Sequence, residues 1–316
     1  MEKRQHIEAT GVITNNISPD AAILFLHIHK TAGTTLHRII EREYNPFRIY
    51  TILGGAIEWS INHFKQLPER RRAALQVVKG HMSFGLHEFL PQPCTYITFL
   101  RDPVERCVSA YYYSKSNPAN PFYHRINRER LDLLAFLDLA RWNQNLQCKT
   151  IAGIDRTEFR PVKLLRRSLR PGAPPSEPEL DRWSNVSVLE KAKENLVRYF
   201  SFVGVSDRYP EGLVLLKHLF GWSFSSYSSY RKSRGRPKTE SLDPAILAAV
   251  EKRNEFDRAL YDFGKSLFAG AIERQDIDLE REVAAIRENA IRKQESIFDF
   301  GAVAARAAAS HLASLL

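Results

Sequence analysis

An apolar run followed by a helical pattern opens the informative part of the chain. Five apolar residues fall between Ile23 and Ile28, a nearly continuous run of strand length without the alternation of a strand that has one face in water. Apolar residues then recur at three- and four-residue spacing from Leu36 to Tyr44, which predicts a helix that starts near Thr34. The pattern predicts a buried strand, a loop and a helix that packs back on the sheet.

The same order of strand and helix returns further along the chain. Residues 96–100 form a second apolar run, after which Asp102 and Pro103 suit the cap and the first turn of a helix. A helical pattern at 188–199 is then followed by a short apolar run at 202–205. Buried strands that alternate with amphipathic helices are typical of a parallel sheet covered by helices. The sequence therefore predicts an α/β fold.

The loop between the first strand and its helix has the composition of an anion-binding site. The start of a helix presents free N–H groups and the positive end of the helix dipole, which suit phosphate or sulfate. Gly33 lets the backbone approach closely, while Thr34 and Thr35 offer hydroxyl donors. Lys30 adds a positive charge, but it lies before Gly33, whereas the Walker loop needs its Lys directly after the second Gly. This spacing disfavours a P-loop kinase or ATPase.

Two other predicted strands, a short apolar one that ends at 79–81 and the one at 96–100, carry candidate functional groups at their ends. Ligands of open parallel sheets bind at the carboxyl ends of the strands, which is where His81 and Arg101 are expected. Imidazole titrates near neutrality, so His81 is a candidate general base. The guanidinium of Arg101 suits a phosphate, and Ser109, about two helical turns along the next helix, can donate a further hydrogen bond.

Two motifs in these stretches resemble those of a known family. HIHKTAGTTL resembles the 5′-phosphosulfate loop of carbohydrate sulfotransferases, the family that includes the heparan sulfate 2-O enzymes, in which HIPKTAGTT is typical. Here His29 stands where the family usually has Pro. RDPVERCVSAY resembles the family's R-D-P-x-x-R-x-x-S-x-Y segment, which binds the 3′-phosphate. Softer matches extend the resemblance over residues 21–268.

The resemblance implies a sulfotransferase that uses 3′-phosphoadenosine 5′-phosphosulfate as donor and needs no metal ion. The acceptor would be a hydroxyl of a carbohydrate or glycoconjugate, with His81 as general base and Lys30 assisting the departing phosphate. Arg106 would bind phosphate or form a structural ion pair, and a late basic loop around Arg231 would close over the nucleotide. The residues expected to bind the donor are Lys30, Thr31, Ala32, Gly33, Thr34, Thr35, Arg101, Ser109, Arg231 and Lys232.

The resemblance also divides the chain. Residues 1–20 read as a polar segment, 21–268 as a sulfotransferase domain of P-loop-like, three-layer architecture, and 269–316 as a helical C-terminal extension. The helices of the extension are expected to pack against the domain or against a second copy of the chain in a homo-oligomer. Neither a signal peptide nor an apolar run of membrane-spanning length is recognisable, so a cytoplasmic, bacterial-type member is expected.

Charge and cysteine content leave two alternatives open. The formal net charge of +10 favours anionic partners, but it does not distinguish a nucleotide from an acidic glycan, nucleic acid or a membrane surface. The three Cys residues are widely spaced and support neither a disulfide framework nor a metal site. The alternatives are a nucleotide-dependent kinase and a non-catalytic binder of an anionic polymer; no nucleic acid partner is expected, because such a binder leaves the two strand-end motifs unexplained.

Overall fold

A parallel sheet lies at the centre of the protein. The computed structural model describes residue 18 and residues 21–154, 184–227 and 236–294, with side chains up to residue 289. In these ranges, five strands pair in the order β2-β3-β1-β4-β5, all parallel. Their bounds are β1 (Ala22–Leu26), β2 (Ile49–Ile52), β3 (Val77–Gly80), β4 (Cys94–Leu100) and β5 (Phe200–Val205). All five residues of β1 are buried, so both faces of the central strand are covered, as the apolar run predicts.

Helices cover the sheet and complete the predicted α/β fold. A main hydrophobic core surrounds the strands, and a second cluster lies between the helices that follow β4. The helices of the described ranges are α1 (Gly33–Glu43), α2 (Ile57–Gln66), α3 (Glu69–Ala73), α4 (Pro103–Ser116), α5 (Tyr123–Arg128), α6 (Leu133–Leu139), α7 (Leu146–Ala152), α8 (Val186–Tyr199), α9 (Tyr209–Phe220), α10 (Pro244–Lys252), α11 (Glu255–Glu273) and α12 (Leu279–Gln294).

The strand register brings the residues after four strands to one edge of the sheet. In β1, Leu26 pairs with Gly80 of β3, which also pairs with Ile52 of β2. On the other side of β1, the Thr98 hydroxyl of β4 donates a hydrogen bond of 2.8 Å to the Leu26 carbonyl. Because all these strands run in the same direction, the residues that follow each of them lie near one another. Gly80 has a positive φ of 139°, and a Cβ there would lie 2.5 Å from the Ile52 carbonyl oxygen.

The helices α1 and α4 begin in different ways. The carboxylate of Asp102 caps α4 by accepting a hydrogen bond of 2.9 Å from the N–H of Glu105, with Pro103 in the first turn, as the sequence predicts. At α1 the N-cap is Ala32, which has no side-chain acceptor and lies in the left-handed region at φ 64°. The first N–H groups of α1 are therefore not satisfied by a side chain of the cap.

The described part of the C-terminal extension packs against the domain. Helix α11 runs across position 268, so no break separates the domain from the extension there. Helix α12 packs on α9, where Glu282 forms an ion pair of 3.1 Å with Lys217, and Val283 and Ile286 join the main core. Packing against a second copy of the chain stays a prediction. In the described ranges, no helix is both long and apolar enough to cross a membrane.

A buried ion pair joins α4 to α11. Arg106 and Asp257 are fully buried, with 3.7 Å between Nε and Oδ2. The guanidinium donates to the side chain of Asn143 at 2.7 Å and to its carbonyl at 2.6 Å. The Asp257 carboxylate accepts from the N–H groups of Gln147 at 3.1 Å and Cys148 at 2.8 Å. Of the two roles open to Arg106 from the sequence, the structural ion pair is the one observed.

Removing Asp257 should destabilise the protein strongly. Asp257→Ala leaves the Arg106 guanidinium buried without its counter-ion, which costs about 3–5 kcal/mol of unfolding free energy. Asp138 provides the control, since its ion pair of 3.2 Å with Arg253 is partly exposed and Asp138→Ala should cost less than about 1 kcal/mol. Urea unfolding of both variants measures the difference, and equal losses would contradict the structural role of the buried pair.

Candidate functional site

The carboxyl edge of the sheet opens into a cavity of about 1520 Å³. The loops after β1, β2, β3 and β4 line it together with α4 and the segment that begins at Arg236. Most of the residues that the sequence predicts for the site meet here. The predicted residues that line the cavity are Lys30, Ala32, Gly33, Thr34, His81, Arg101 and Ser109.

The other predicted residues occupy different positions. Thr31 is buried within the loop, where its hydroxyl donates a hydrogen bond of 3.0 Å to the Ile28 carbonyl, and its side chain does not line the cavity. Thr35 is also buried on the inner side of α1. Arg231 and Lys232 lie outside the described residues. From the same basic stretch, Arg236 lines the cavity.

The loop before α1, which the sequence predicts to bind an anion, is held in an unusual backbone conformation. Lys30 and Ala32 both have positive φ, at 70° and 64°, which turns the chain sharply before α1 begins. Gly33 is required because the ring of His27 occupies the space of a side chain: a Cβ on Gly33 would lie 2.2 Å from Cδ2 of His27. The Lys30 ammonium lies over the Tyr113 ring, 4.1 Å from its centroid, a cation–π contact that keeps the charge in the cavity.

A second positive site lies beside this loop. The Arg101 guanidinium donates a hydrogen bond of 2.9 Å to the Lys30 carbonyl and another of 2.8 Å to the Glu105 carboxylate. Glu105 also accepts from Arg236 and Thr239. Burial favours the neutral form of Glu105, but the hydrogen bonds from Thr239 and Arg236 outweigh it and lower the pKa of the carboxyl group. Two guanidinium groups thus converge on one carboxylate at the cavity wall.

Buried hydrogen bonds fix the position of Arg101. Its main-chain N–H donates to Oε1 of Gln147 at 2.9 Å, and the amide of Gln147 donates back to the Arg101 carbonyl at 2.8 Å. The main-chain N–H of Gln147 in turn donates to the Asp257 carboxylate. Ser109, on α4, is nearly buried and lines the same side of the cavity. The Arg106–Asp257 pair therefore supports the second site without contacting it.

His81 lines the same cavity, directly after the end of β3. Its Nδ1 is 2.7 Å from the main-chain carbonyl oxygen of His27, which can only accept a hydrogen bond, so Nδ1 carries the proton. In the neutral ring the lone pair then lies on Nε2. His29 stacks on one face of the His81 ring at 3.6 Å between centroids, and His27 stacks at 4.3 Å. The residue that replaces the family's Pro is thus in direct contact with the candidate base.

The turn after β2 and the first turn of α2 also line the cavity, with small residues and one tryptophan. A Cβ on Gly54 would lie 3.8 Å from Cδ2 of His81, so the turn after β2 approaches the candidate base closely. Trp59, in the first turn of α2, is 48% exposed although it lines the cavity. Its ring stacks on His63 with centroids 5.0 Å apart and an interplanar angle of 5°. His63 is held by the Tyr50 hydroxyl at 2.9 Å, so the indole is a fixed platform.

Sequence reasoning missed several residues of this cavity. Arg236 belongs to the basic loop around Arg231, but nothing in the spacing of that loop distinguishes Arg236 from its neighbours. Trp59 carried no signal, because an aromatic residue at helical spacing is usually part of a core. In the sequence, Glu105 is recognisable only as a residue of the first turn of a helix. Its contact with Arg236 joins positions that are far apart in the chain.

The fold and the cavity define an α/β protein in which the loop before α1 and a basic cluster around Arg101 meet at one edge of a parallel sheet. A family model described as "Sulfotransferase family" matches residues 14–264, and the chain belongs to this family. This confirms the resemblance to that family.

Characterised relatives are similar at low identity. Human galactose-3-O-sulfotransferase 3 is 24% identical over 281 residues, covering 84% of this chain and 61% of the relative. Heparan-sulfate 6-O-sulfotransferase 1 of Cricetulus griseus is 24% identical over 289 residues, covering 79% and 67%. Human galactosylceramide sulfotransferase is 25% identical over 312 residues, covering 95% and 69%. The chain therefore spans about 61% of the length of the galactose-3-O-sulfotransferases that it matches.

Proposed function

We propose that the protein transfers a sulfuryl group from 3′-phosphoadenosine 5′-phosphosulfate to a hydroxyl of a carbohydrate or glycoconjugate. One observation carries the proposal: the loop at the start of α1 and the Arg101–Ser109 site line a single cavity, with His81 beside them. A donor with phosphate groups at both its 3′ and 5′ positions needs two such sites at a fixed separation. Family membership supports this donor, since it belongs to the chemistry of sulfotransferases.

The residues present suit such a donor. The first N–H groups of α1 and the Lys30 ammonium would hold the 5′ phosphosulfate, since Gly33 has no side chain on this approach and Ala32 supplies no cap. Arg101 and Ser109 would hold the 3′-phosphate, with Arg236 as an additional cation. A phosphate there would compete with the Glu105 carboxylate, which already lies against both guanidinium groups.

His81 would act as the general base. Nε2 takes the proton of the acceptor hydroxyl while the hydroxyl oxygen forms its bond to sulfur on the side opposite the departing phosphate oxygen. That phosphate oxygen keeps the electron pair of the broken S–O bond, and the Lys30 ammonium stabilises the charge that develops on it. The products are a sulfate ester and 3′-phosphoadenosine 5′-phosphate. Positioning and charge stabilisation supply most of the rate in such an in-line transfer, by analogy with phosphoryl transfer.

Two further observations support a carbohydrate acceptor. The named relatives act on galactose, heparan sulfate and galactosylceramide. In addition, Trp59 presents a fixed, half-exposed indole face close to the turn that touches His81. An aromatic face of this kind suits the apolar face of a sugar ring, while the neighbouring polar groups would orient its hydroxyls.

The two alternatives make different demands on the same cavity. A kinase would require ATP with magnesium and would ignore a phosphate at the 3′ position. A non-catalytic binder of an anionic polymer would lose affinity steeply with salt and show no preference among nucleotides. The nucleotide experiment below separates all three functions.

Nucleotide binding should depend on the 3′-phosphate. We expect 3′-phosphoadenosine 5′-phosphate to raise the melting temperature more than equal concentrations of ADP, ATP or AMP. Arg101→Ala should weaken its binding about 10–100-fold in isothermal titration calorimetry, because a charge-assisted contact is lost. Arg253→Ala, which removes a guanidinium paired with Asp138 outside the cavity, should bind normally. A preference for ATP, or unchanged affinity in Arg101→Ala, would contradict the proposal.

Turnover should require His81 and Lys30. His81→Ala should lower kcat by about 10²–10⁴-fold through loss of the general base, with 3′-phosphoadenosine 5′-phosphate still bound normally. Lys30→Ala should lower kcat about 10²–10³-fold through loss of charge stabilisation. His124→Ala is the control, since His124 is an exposed histidine that does not line the cavity. Release of the nucleotide product measures all three, and full activity in His81→Ala would sink the base assignment.

Binding of the acceptor should depend on Trp59. With a panel containing a β-galactoside and a heparan oligosaccharide, Trp59→Ala should raise the KM of the preferred acceptor about 10-fold and leave that of the donor unchanged. Phe47→Ala removes another exposed aromatic ring, which does not line the cavity, and should have no effect. If both variants kept the wild-type KM, Trp59 would not contact the acceptor.

A further inference from the structure

A row of buried and partly buried polar side chains leads from α1 to the cavity. The Lys79 ammonium lies 2.8 Å from the Glu41 carboxylate and 3.2 Å from Nδ1 of His37. Nε2 of His37 lies 3.0 Å from Nδ1 of His27. Lys79 is 1% exposed, Glu41 7% and His27 8%. Such a network is costly to bury unless its members satisfy one another, so its arrangement calls for a reason.

The sheet and helix geometry accounts for this row. Lys79 pairs with Phe25 in the register of β3 and β1, so it lies on the face of the sheet that carries Phe25 and, two positions on, His27. The His27 and Phe25 rings stack at 5.4 Å. His37 and Glu41 are one turn apart on α1, which brings both to the same face of the helix. An apolar side chain at position 79 would leave Glu41 and His37 without the ammonium group that contacts both of them.

The chemistry of the partners sets the direction of every hydrogen bond in the row. A Lys ammonium can only donate, so Nδ1 of His37 accepts and the proton of the neutral His37 ring lies on Nε2. Nε2–H of His37 then donates to Nδ1 of His27. The proton of the neutral His27 ring must therefore lie on Nε2. The Glu41–Lys79 ion pair thus selects the tautomer of a ring at the far end of the row.

Both rings stay neutral near pH 7. Burial lowers the pKa of His27 well below its usual value, and the charges of His81, Lys79 and Lys30 lower it further. Burial likewise lowers the pKa of His37, assisted by Lys79, His27, His81 and Arg38. Protonation of either ring would place a second positive charge beside the Lys79 ammonium.

The ring of His27 lies against the loop at the start of α1. His27 lines the cavity, and its Nε2 lies 2.3 Å from the point where a Cβ on Gly33 would sit, at the start of α1. Nδ1 is occupied by His37, and His27 forms no hydrogen bond through Nε2 to any residue of the described ranges. A donor on a side chain that is more than nine-tenths buried therefore lies beside the loop at the start of α1, at the cavity.

We propose that His27 is a further catalytic residue, whose Nε2–H donates a hydrogen bond to an oxygen of the sulfuryl group in transit, and that Glu41, Lys79 and His37 are positioning residues that hold it in this tautomer. The inference rests on the proposed sulfuryl transfer. It assigns His27 the part of an oxyanion-type donor, which strengthens as negative charge shifts during transfer.

A neutral donor has a specific advantage at this position. His27 stacks on His81 with 4.3 Å between centroids, and an imidazolium there would disfavour proton uptake by His81. A Lys or Arg at position 27 would bring the same penalty. The buried row lets His27 donate a hydrogen bond without carrying a charge, which leaves His81 able to act as a base.

Paired substitutions at position 27 separate a catalytic role from a structural one. In His27→Asn, the shorter carboxamide can still accept from His37, at the place of Nδ1, but does not reach the position of Nε2. His27→Gln places an amide N–H near Nε2 and does not reach His37. If His27 donates to the sulfuryl group, His27→Asn should lower kcat about 10²-fold and His27→Gln should retain more activity. Affinity for 3′-phosphoadenosine 5′-phosphate, which lacks the sulfuryl group, should stay within about threefold of wild type in His27→Asn.

A measurement without turnover tests the tautomer itself. Long-range ¹H–¹⁵N spectra of the histidine-labelled protein at pH 7 should show His27 as the neutral ring protonated on Nε2. His37→Leu should move His27 towards the Nδ1–H form or the imidazolium, whereas His37→Gln, whose amide can accept from Lys79 and donate to His27, should preserve the wild-type form. Melting temperatures establish that each variant is folded.

The outcomes are distinguishable. Imidazolium or Nδ1–H in wild-type His27 would overturn the inference, and so would a folded His27→Asn with kcat within twofold of wild type. Equal kcat in His27→Asn and His27→Gln, with Kd raised as much as kcat is lowered, would identify a structural residue and also overturn it. If the wild-type protein bound no 3′-phosphoadenosine 5′-phosphate and released none from the donor, the proposed function would fail and the inference with it, whatever the tautomer.

Discussion

Parallel pairing of β1 with both of its neighbours is the constraint on which the site depends. The register joins Leu26 to Gly80 on one side and Phe25 to Ile97 on the other. His27, His81 and Arg101 therefore leave the sheet at a common edge, although they are widely separated in the chain. A one-residue slip of any strand would turn the side chains of that strand to the opposite face and dismantle the cavity.

Two buried charged networks support this edge from opposite sides of the sheet's central strand. Arg106 and Asp257 hold the main chain that positions Arg101 through Gln147. Lys79 and Glu41 hold the side chains that orient His27 through His37. A buried ion pair gains little net stability over well-packed apolar residues, so its value lies in specifying one arrangement. In each network, the charged groups stay behind the cavity and act on it through a neutral amide or imidazole.

Local patterns predicted the elements of the fold, because backbone preferences and apolar periodicity act over a few residues. The cap at Asp102, the strand before His27 and the helix after Gly33 are all where those patterns place them, to within a residue or two. Only the folded loop shows that Thr31 and Thr35 are buried whereas Thr34 lines the cavity. The positive φ of Lys30 and Ala32, which causes this, has no signature in residues that normally avoid it.

The sequence by itself determined the class of fold, the strand–loop–helix unit from β1 to α1 and the family, because each depends on contiguous residues with a local physical meaning. Only the tertiary structure decided that Arg106 pairs with Asp257 inside the protein, that Arg236 shares Glu105 with Arg101, and that His27 faces the cavity. These depend on contacts between residues far apart in the chain, and on burial, which determines whether a charge is paired, exposed or neutralised. For His27, the contacts of Lys79 with His37 and of His37 with His27 determine which ring nitrogen carries the proton.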